Sequence, residues 1–192
     1  DEARLIADTI LRYANGKYSD YAVLIRTGSL SRGFEETFAE NHIPYRLVGT
    51  TKFYDRLEIR DVIAYVRLLV HPTDDIAFAR VITRPRRGFG PSAIAKMRAM
   101  GGGLMHGLRA VNFGGKQGTT AKEFLDAFDF DWRSMSPVDA VKKLLERTRY
   151  MQYWNESKDP DAPDRILNIR DLITNVVATY DSLAEFLEHA AL

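Results

Sequence analysis

Three arginines, Arg84, Arg86 and Arg87, lead into Gly88-Phe89-Gly90, and Pro91-Ser92 follows at once. These types at this spacing suit anion binding. Glycines let backbone N–H groups point outward and let an anion approach with no Cβ in the way. A helix that starts at Pro91-Ser92 adds unpaired N–H groups and the positive end of its dipole. The arginines and Lys96 supply charge, and Ser92 supplies a hydroxyl to cap the helix and donate to the anion. The surroundings are one-sided. Ile76–Lys122 carries nine Lys or Arg in 47 residues and no Asp or Glu, within a chain of net charge +1. Residues 1–75 stand at −2 and residues 123–192 at −6. A segregated basic block is the footprint of a polyanion partner, and a grip on phosphates gives affinity with little sequence reading. For the turn alone, an ordinary basic helix connector is the plainer alternative. The acid-free neighbourhood favours phosphate.

A second locus is "IRTGSLSRGFEE". Arg26 leaves the end of an apolar run, and Thr27, Ser31 and Arg32 stand at the start of a helical pattern. Strand ends and helix N-termini in α/β sheets bind ligands, and hydroxyls with arginine suit a sugar-phosphate backbone. Helix capping by Ser29 or Ser31, with Glu35 or Glu36 partnering Arg32, is the competing reading. It leaves Arg26 unexplained.

Other chemistries find little support. With no cysteine, disulfides and thiolate metal sites are excluded. His42, His71, His106 and His189 lack metal-ligand spacing, so no metal site is expected. No Ser/His/Asp set has local support, so no catalytic residue is expected. "GGKQGTT" lacks the Gly-x4-Gly-Lys-Ser/Thr pattern of a phosphate-binding loop and reads as a flexible connector. Trp132, Trp154, Tyr150 and Tyr153 read as core or interface rather than a base-stacking platform. No apolar run reaches membrane-spanning length, and the chain reads as soluble and cytoplasmic, with no membrane partner.

The elements that must position these residues follow from periodicity. "EARLIADTI" is helical, "YAVLIR" and "IPYRLVG" read as short strands, and Ser29–Asn41 reads as a helix between them. From "DRLEIRDVIAYVRLLV" onward the pattern is helical, with breaks at Pro72, Pro85 and Gly101–Gly103. Thr73 reads as one N-cap, Asp74-Asp75 as acids complementing a helix dipole, and Ser136-Pro137 as another helix start. The fold class is mainly α, with a short α/β strand–helix–strand piece over 1–48 and a helical region over 49–192. Both chain ends read as cut, as in a fragment of a longer protein.

These segments together resemble superfamily 1 DNA helicases of the UvrD/PcrA/Rep type. The matching residues are Arg26, Ser31, Arg32, Glu35, Glu36, Pro44, Tyr45, Gly49, Phe53, Arg56, Glu58, Ile59, Asp61, Pro72, Asp74, Asp75, Arg87, Gly88 and Gly90. "RILNIRDLI" and "FLEHAAL" follow in the family's order. Departures stand at Ile25, Gly28, Thr50 and Phe89, where the family commonly has Tyr, Asn, Gly and Ile. The resemblance implies a partial RecA-like motor domain 2A followed by a mobile helical 2B subdomain, within an ATP-driven 3′-to-5′ DNA translocase. It implies that Arg26, Thr27, Ser31 and Arg32 lie on the single-strand track. It also implies that Gly88-Phe89-Gly90, with Arg84, Arg86, Arg87, Ser92 and Lys96, grips duplex or junction DNA. ATP and Mg would serve the parent, since no ATP-binding motif lies in this chain. The implied partners are DNA, the rest of the motor and DNA-repair proteins. The alternative function is a regulatory or protein-docking helical module that controls the motor.

Overall fold

The computed structural model describes residues 2–190 apart from Thr27, Thr50 and the side chain of Ser29. It divides at Arg56/Leu57 into two compact units.

In the first unit, α1 (Glu2–Tyr13) packs against α2 (Ser31–Glu40). Ala3, Ala7 and Ile10 are buried at steps of four and three, so one face of α1 turns inward. Phe34 and Phe38, one turn apart on α2, meet edge to face at 6.0 Å, and Ile43 closes the cluster. The two expected strands are corrected here. Tyr21–Arg26 and Ile43–Gly49 run without regular structure, and no strand ladder forms among the described residues. A strand exists only through a paired neighbour, and these two segments do not pair. Leu24 is accordingly 96% exposed and Val48 76%. The unit extends past the expected boundary at 48. The Arg56 guanidinium donates to the carbonyls of Gly28 (2.6 Å) and Thr51 (3.3 Å), and the Phe53 N–H donates to Glu35 Oε2 (3.3 Å). The bond to Glu35, with that of Arg56 Nη2 to Ser31 Oγ (2.7 Å), holds residues 53–56 to α2.

The second unit is helical throughout: α3 (Leu57–Val70), α4 (Asp75–Val81), α5 (Pro91–Ala99), α6 (Leu104–Ala110), α7 (Gly115–Phe128), α8 (Pro137–Arg147), α9 (Tyr150–Asn155), α10 (Ala162–Asp171) and α11 (Leu183–Ala190). The central element is α3, which packs against α4, α8, α10 and α11. Ile59, Val62, Tyr65, Val66 and Leu68 on it are all but inaccessible. Leu-, Ile- and Val-rich turns at three- and four-residue spacing bury most of its circumference. Ser136 caps α8 as expected, accepting from the Asp139 N–H at 3.1 Å. The cap of α4 is Asp74 rather than Thr73, through the Ala77 N–H at 2.8 Å. Asp75 caps a different helix, accepting from the Leu104 N–H at the start of α6 (2.7 Å). "GGKQGTT" is also corrected, because it forms the first turns of α7. Gly118 is there for close approach: a Cβ would fall 2.1 Å from the Phe113 carbonyl oxygen.

A polar stripe on α3 ties the unit together. Glu58, Asp61 and Tyr65 stand at i, i+3 and i+7, one above another. Glu58 accepts from Asn168 Nδ2 (2.7 Å) and pairs with Arg165 (3.2 Å), joining α3 to α10. Asp61 accepts from Arg80 Nε (2.6 Å), Arg84 Nη1 (3.2 Å) and the Tyr150 hydroxyl (2.9 Å). Tyr65 donates to the Arg84 carbonyl at 2.7 Å. Burial pushes the Tyr65 hydroxyl up to about 12, with Arg87 opposing the rise. Burial and then the Asp61 carboxylate push Tyr150 up as well.

Alkaline lability follows. A tyrosine kept neutral in the fold contributes stability that is fully present below the unfolded pKa of about 10. That stability is lost as pH rises through the folded value. For Tyr65 the window runs from pH 10 to about 12. Urea midpoints should fall steeply above about pH 10, and Tyr65→Phe should flatten the fall. An unchanged slope in Tyr65→Phe would refute this role.

Candidate nucleic-acid interface

The segment between α4 and α5 forms a turn anchored from beneath. Arg87 is folded inward. Its Nη1 donates to the carbonyls of Val81 (2.6 Å) and Pro85 (3.2 Å). Its Nη2 donates to Tyr65 Oη (2.9 Å) and the Thr148 carbonyl (2.8 Å). The guanidinium also lies 5.1 Å from the centre of the Phe124 ring. Phe89 is 4% exposed and meets Phe113 edge to face at 5.4 Å, as an apolar plug. With Arg87 and Phe89 below, Gly88 and Gly90 are left at the surface. Gly88 has φ +78°, a conformation that a side chain strains, and its carbonyl accepts from Gln117 Nε2 at 2.9 Å.

Gly90 is the N-cap of α5, with Pro91 at the first helical position. This corrects the role expected of Ser92, which lies inside the helix as an exposed residue and does not cap it. Helix geometry leaves the Ser92 and Ala93 N–H groups without intrahelical acceptors, directed away from the helix start. Arg86, Ser92, Lys96 and Arg98 are exposed around this point. Arg84 is intermediate: its side chain is 36% exposed, with Nη1 on Asp61.

The expected duplex residues therefore separate. Arg86, Gly88, Gly90, Ser92 and Lys96 face solvent, whereas Arg87 and Phe89 hold the turn in shape, and Arg84 does part of each. Residues that the sequence reading did not single out border the turn. A cleft of about 500 Å³ is lined by Arg86, Gly88, Lys116, Gln117, Arg147 and Arg149, among others. Lys116 belonged to the acid-free block and could have been found there. Arg149 carried no signal in the sequence. Arg147 is engaged with the end of α7, donating to the carbonyls of Ala127 and Asp129 at 3.2 Å each.

The described residues expected on single-stranded DNA have different settings. Ser31 is 1% exposed, donates to Glu35 Oε1 (2.7 Å) and accepts from Arg56 Nη2 (2.7 Å). It is part of the internal bracing of the first unit. Arg32 pairs with Glu36 at 2.7 Å and lies 5.7 Å from the centre of the Phe53 ring. Arg26 is exposed. Thr27 lies outside the described residues. Among the described residues no group of three or more His, Asp or Glu could hold a metal, and no helix is long and apolar enough to cross a membrane.

Comparison with known proteins decides the family. Residues 1–113, more than half of the chain, match the UvrD-like helicase C-terminal domain. The chain belongs to that family. Relatives of this UvrD-like chain include a probable DNA helicase II homolog of Rickettsia felis, 30% identical over 207 residues, covering all of this chain and 31% of the relative. The ATP-dependent DNA helicase PcrA of Staphylococcus epidermidis is 29% identical over 211 residues, covering all of this chain and 29% of the relative. PcrA of Leuconostoc citreum is 33% identical over 188 residues, covering 91% and 25%. The UvrD-like chain thus spans about three tenths of the length of the first two relatives. The family resemblance drawn from the ordered motifs is met. Several of those motif residues, notably Arg56, Glu58, Asp61, Asp75 and Arg87, have structural duties within their own units.

Proposed function

We propose that the helical unit is the 2B-type DNA-binding segment of an ATP-dependent 3′-to-5′ DNA helicase, and that it grips duplex or junction DNA at the Gly88–Gly90 turn. The observation that carries this is the exposed start of α5: glycine-flanked and braced from below, with Arg86, Ser92, Lys96 and Arg98 at the surface and no acid between Ile76 and Lys122. Outward amides and a helix dipole bind a phosphate oxygen, and the flanking cations add counterion release. Such a contact reads no bases, which suits a motor that moves along any sequence. The names of the relatives support the helicase setting. ATP and magnesium act elsewhere in the parent protein, because this chain has no Gly-x4-Gly-Lys-Ser/Thr loop to cradle a triphosphate. Arg26 is left as a contact of the first unit with single-stranded DNA. Further partners are the rest of the motor and repair proteins, in the cytoplasm.

The test is fluorescence anisotropy of this chain with duplex, single-stranded and junction DNA across a salt series. Duplex or junction binding should weaken steeply with salt, and Arg86→Gln/Lys96→Gln should lower the log–log slope by about 2. Binding to duplex that ignores both salt and substitution would move the reading to a protein-docking module.

A further inference from the structure

We infer that the cleft beside the turn is a second phosphate site, and that it takes the DNA backbone onward from Gly88 between Arg86, Lys116 and Arg149. This inference rests on the duplex reading above and extends it to residues on two other elements.

Three observations carry it. First, Arg86 precedes α5, Lys116 lies in the first turn of α7, and Arg149 joins α8 to α9, yet all three line one cleft of about 500 Å³. They are exposed and have no bonded partner among the described residues. The other cations there, Arg87 and Arg147, are engaged with carbonyl groups, and Glu123 is the single acid on the rim. A cleft in which one sign of charge predominates, with low-dielectric walls, concentrates potential inside it. Its volume is that of an ordinary ligand site.

Second, Arg149 sits at φ +57°, ψ 24°, in the left-handed region just after the end of α8. Glycine is the easy residue at that position, and a long side chain there is strained. Backbone bonds account for the turn itself, since the Arg149 N–H donates to the Glu146 carbonyl (2.9 Å) and the Arg149 carbonyl accepts from the Tyr153 N–H (3.0 Å), while the side chain is exposed. Glycine would close the same turn with less strain, so an exposed arginine kept there points to a use for its side chain at the surface. The use consistent with its surroundings is charge at the cleft.

Third, the cleft is continuous with the turn. Gln117, the neighbour of Lys116, donates to the Gly88 carbonyl at 2.9 Å, so the start of α7 and the glycine turn are bonded to each other. A backbone phosphate held at the amides of α5 therefore has its neighbours along the strand within reach of the cleft. Successive phosphates of one strand form an extended anion, which suits cations contributed by separate elements.

The test compares two double variants for duplex binding across a salt series. Lys116→Gln/Arg149→Gly should weaken binding roughly tenfold and lower the log–log salt slope by about 2, as two lost phosphate contacts require. Its thermal midpoint should be unchanged or raised, because glycine relieves the left-handed backbone. Lost affinity in a protein that is no less stable is a signature that damage to the fold cannot mimic. Arg149→Lys, which keeps the charge, should retain most of the affinity. Three outcomes would overturn the inference. If Lys116→Gln/Arg149→Gly binds duplex like the parent while Arg86→Gln/Lys96→Gln does not, the cleft is a solvated basic surface and the turn reading survives alone. If both variants bind like the parent, both readings fail. If inorganic pyrophosphate binds saturably and stoichiometrically to the parent, is lost in Lys116→Gln/Arg149→Gly, and duplex affinity does not change, the cleft is a small-anion site.

Discussion

Asp61→Ala is expected to lower the unfolding free energy by about 3 kcal/mol, the lower end of the range for breaking a buried ion pair. The carboxylate is 1% exposed and accepts three bonds, from Arg80, Arg84 and the Tyr150 hydroxyl. Removing it strands each donor differently. The two arginine side chains are partly exposed, 29% and 36%, and can turn toward water. The Tyr150 hydroxyl belongs to a residue with no accessible surface and has no such escape. That asymmetry sets the lower end of the range. A domain has roughly 5–15 kcal/mol in all, so the loss is a large share. Asp61→Asn keeps an acceptor for Tyr150 and loses the charge, and it should fall between the parent and Asp61→Ala. Urea unfolding followed by circular dichroism measures both. A loss under about 1 kcal/mol in Asp61→Ala would show that the network contributes as little as a surface ion pair.

The second large effect separates two adjacent arginines. Arg87→Ala should destabilise by roughly 2–4 kcal/mol, because four acceptors lose a charged donor and some of them are buried. The acceptors are the carbonyls of Val81, Pro85 and Thr148 and the Tyr65 oxygen. Arg87→Lys should not restore the stability, since an ammonium cannot reproduce the planar fork that spans them. Arg86→Ala should change stability by less than about 0.5 kcal/mol, as an exposed side chain without a partner. DNA binding should show the reverse order once folded fractions are equal. In cold, low-denaturant buffer Arg87→Ala should keep most of its duplex affinity, and Arg86→Ala should lose several-fold. Thermal midpoints and anisotropy on the same two variants decide it. Equal stability for both would show that Arg87 does not brace the turn. Replacing both arginines together would mix a folding defect with a binding defect.

Local structure was legible to the extent that local residues determine it. The α3 helix declared itself by apolar residues at three- and four-residue steps, and α8 by Ser136-Pro137. The family was legible because many spaced residues matched in order, from Arg26 to Gly90 and again after Arg165. The strand reading failed because an apolar run shows only a tendency, and Tyr21–Arg26 has no ladder partner in which to realise it. "GGKQGTT" was misread because glycine signals flexibility in a sequence, whereas Gly118 serves a close approach to Phe113.

The site shows the same division more sharply. By itself, the sequence determined that a basic, acid-free stretch surrounds a glycine-flanked turn before a proline-started helix. Each of these is a property of neighbouring residues. Only the tertiary structure decided which charges remain available. Arg87 and Ser31 read as ligand contacts until the Thr148 carbonyl and the Tyr65 hydroxyl reach Arg87, and the Arg56 guanidinium reaches Ser31, from elsewhere in their units. Nothing in the sequence places Lys116 and Arg149 beside Arg86, and folding alone brings the three to one cleft. The reason is physical. Helix formation and capping depend on residues within a turn or two of one another, but the fate of a charge depends on which donors and acceptors packing places beside it.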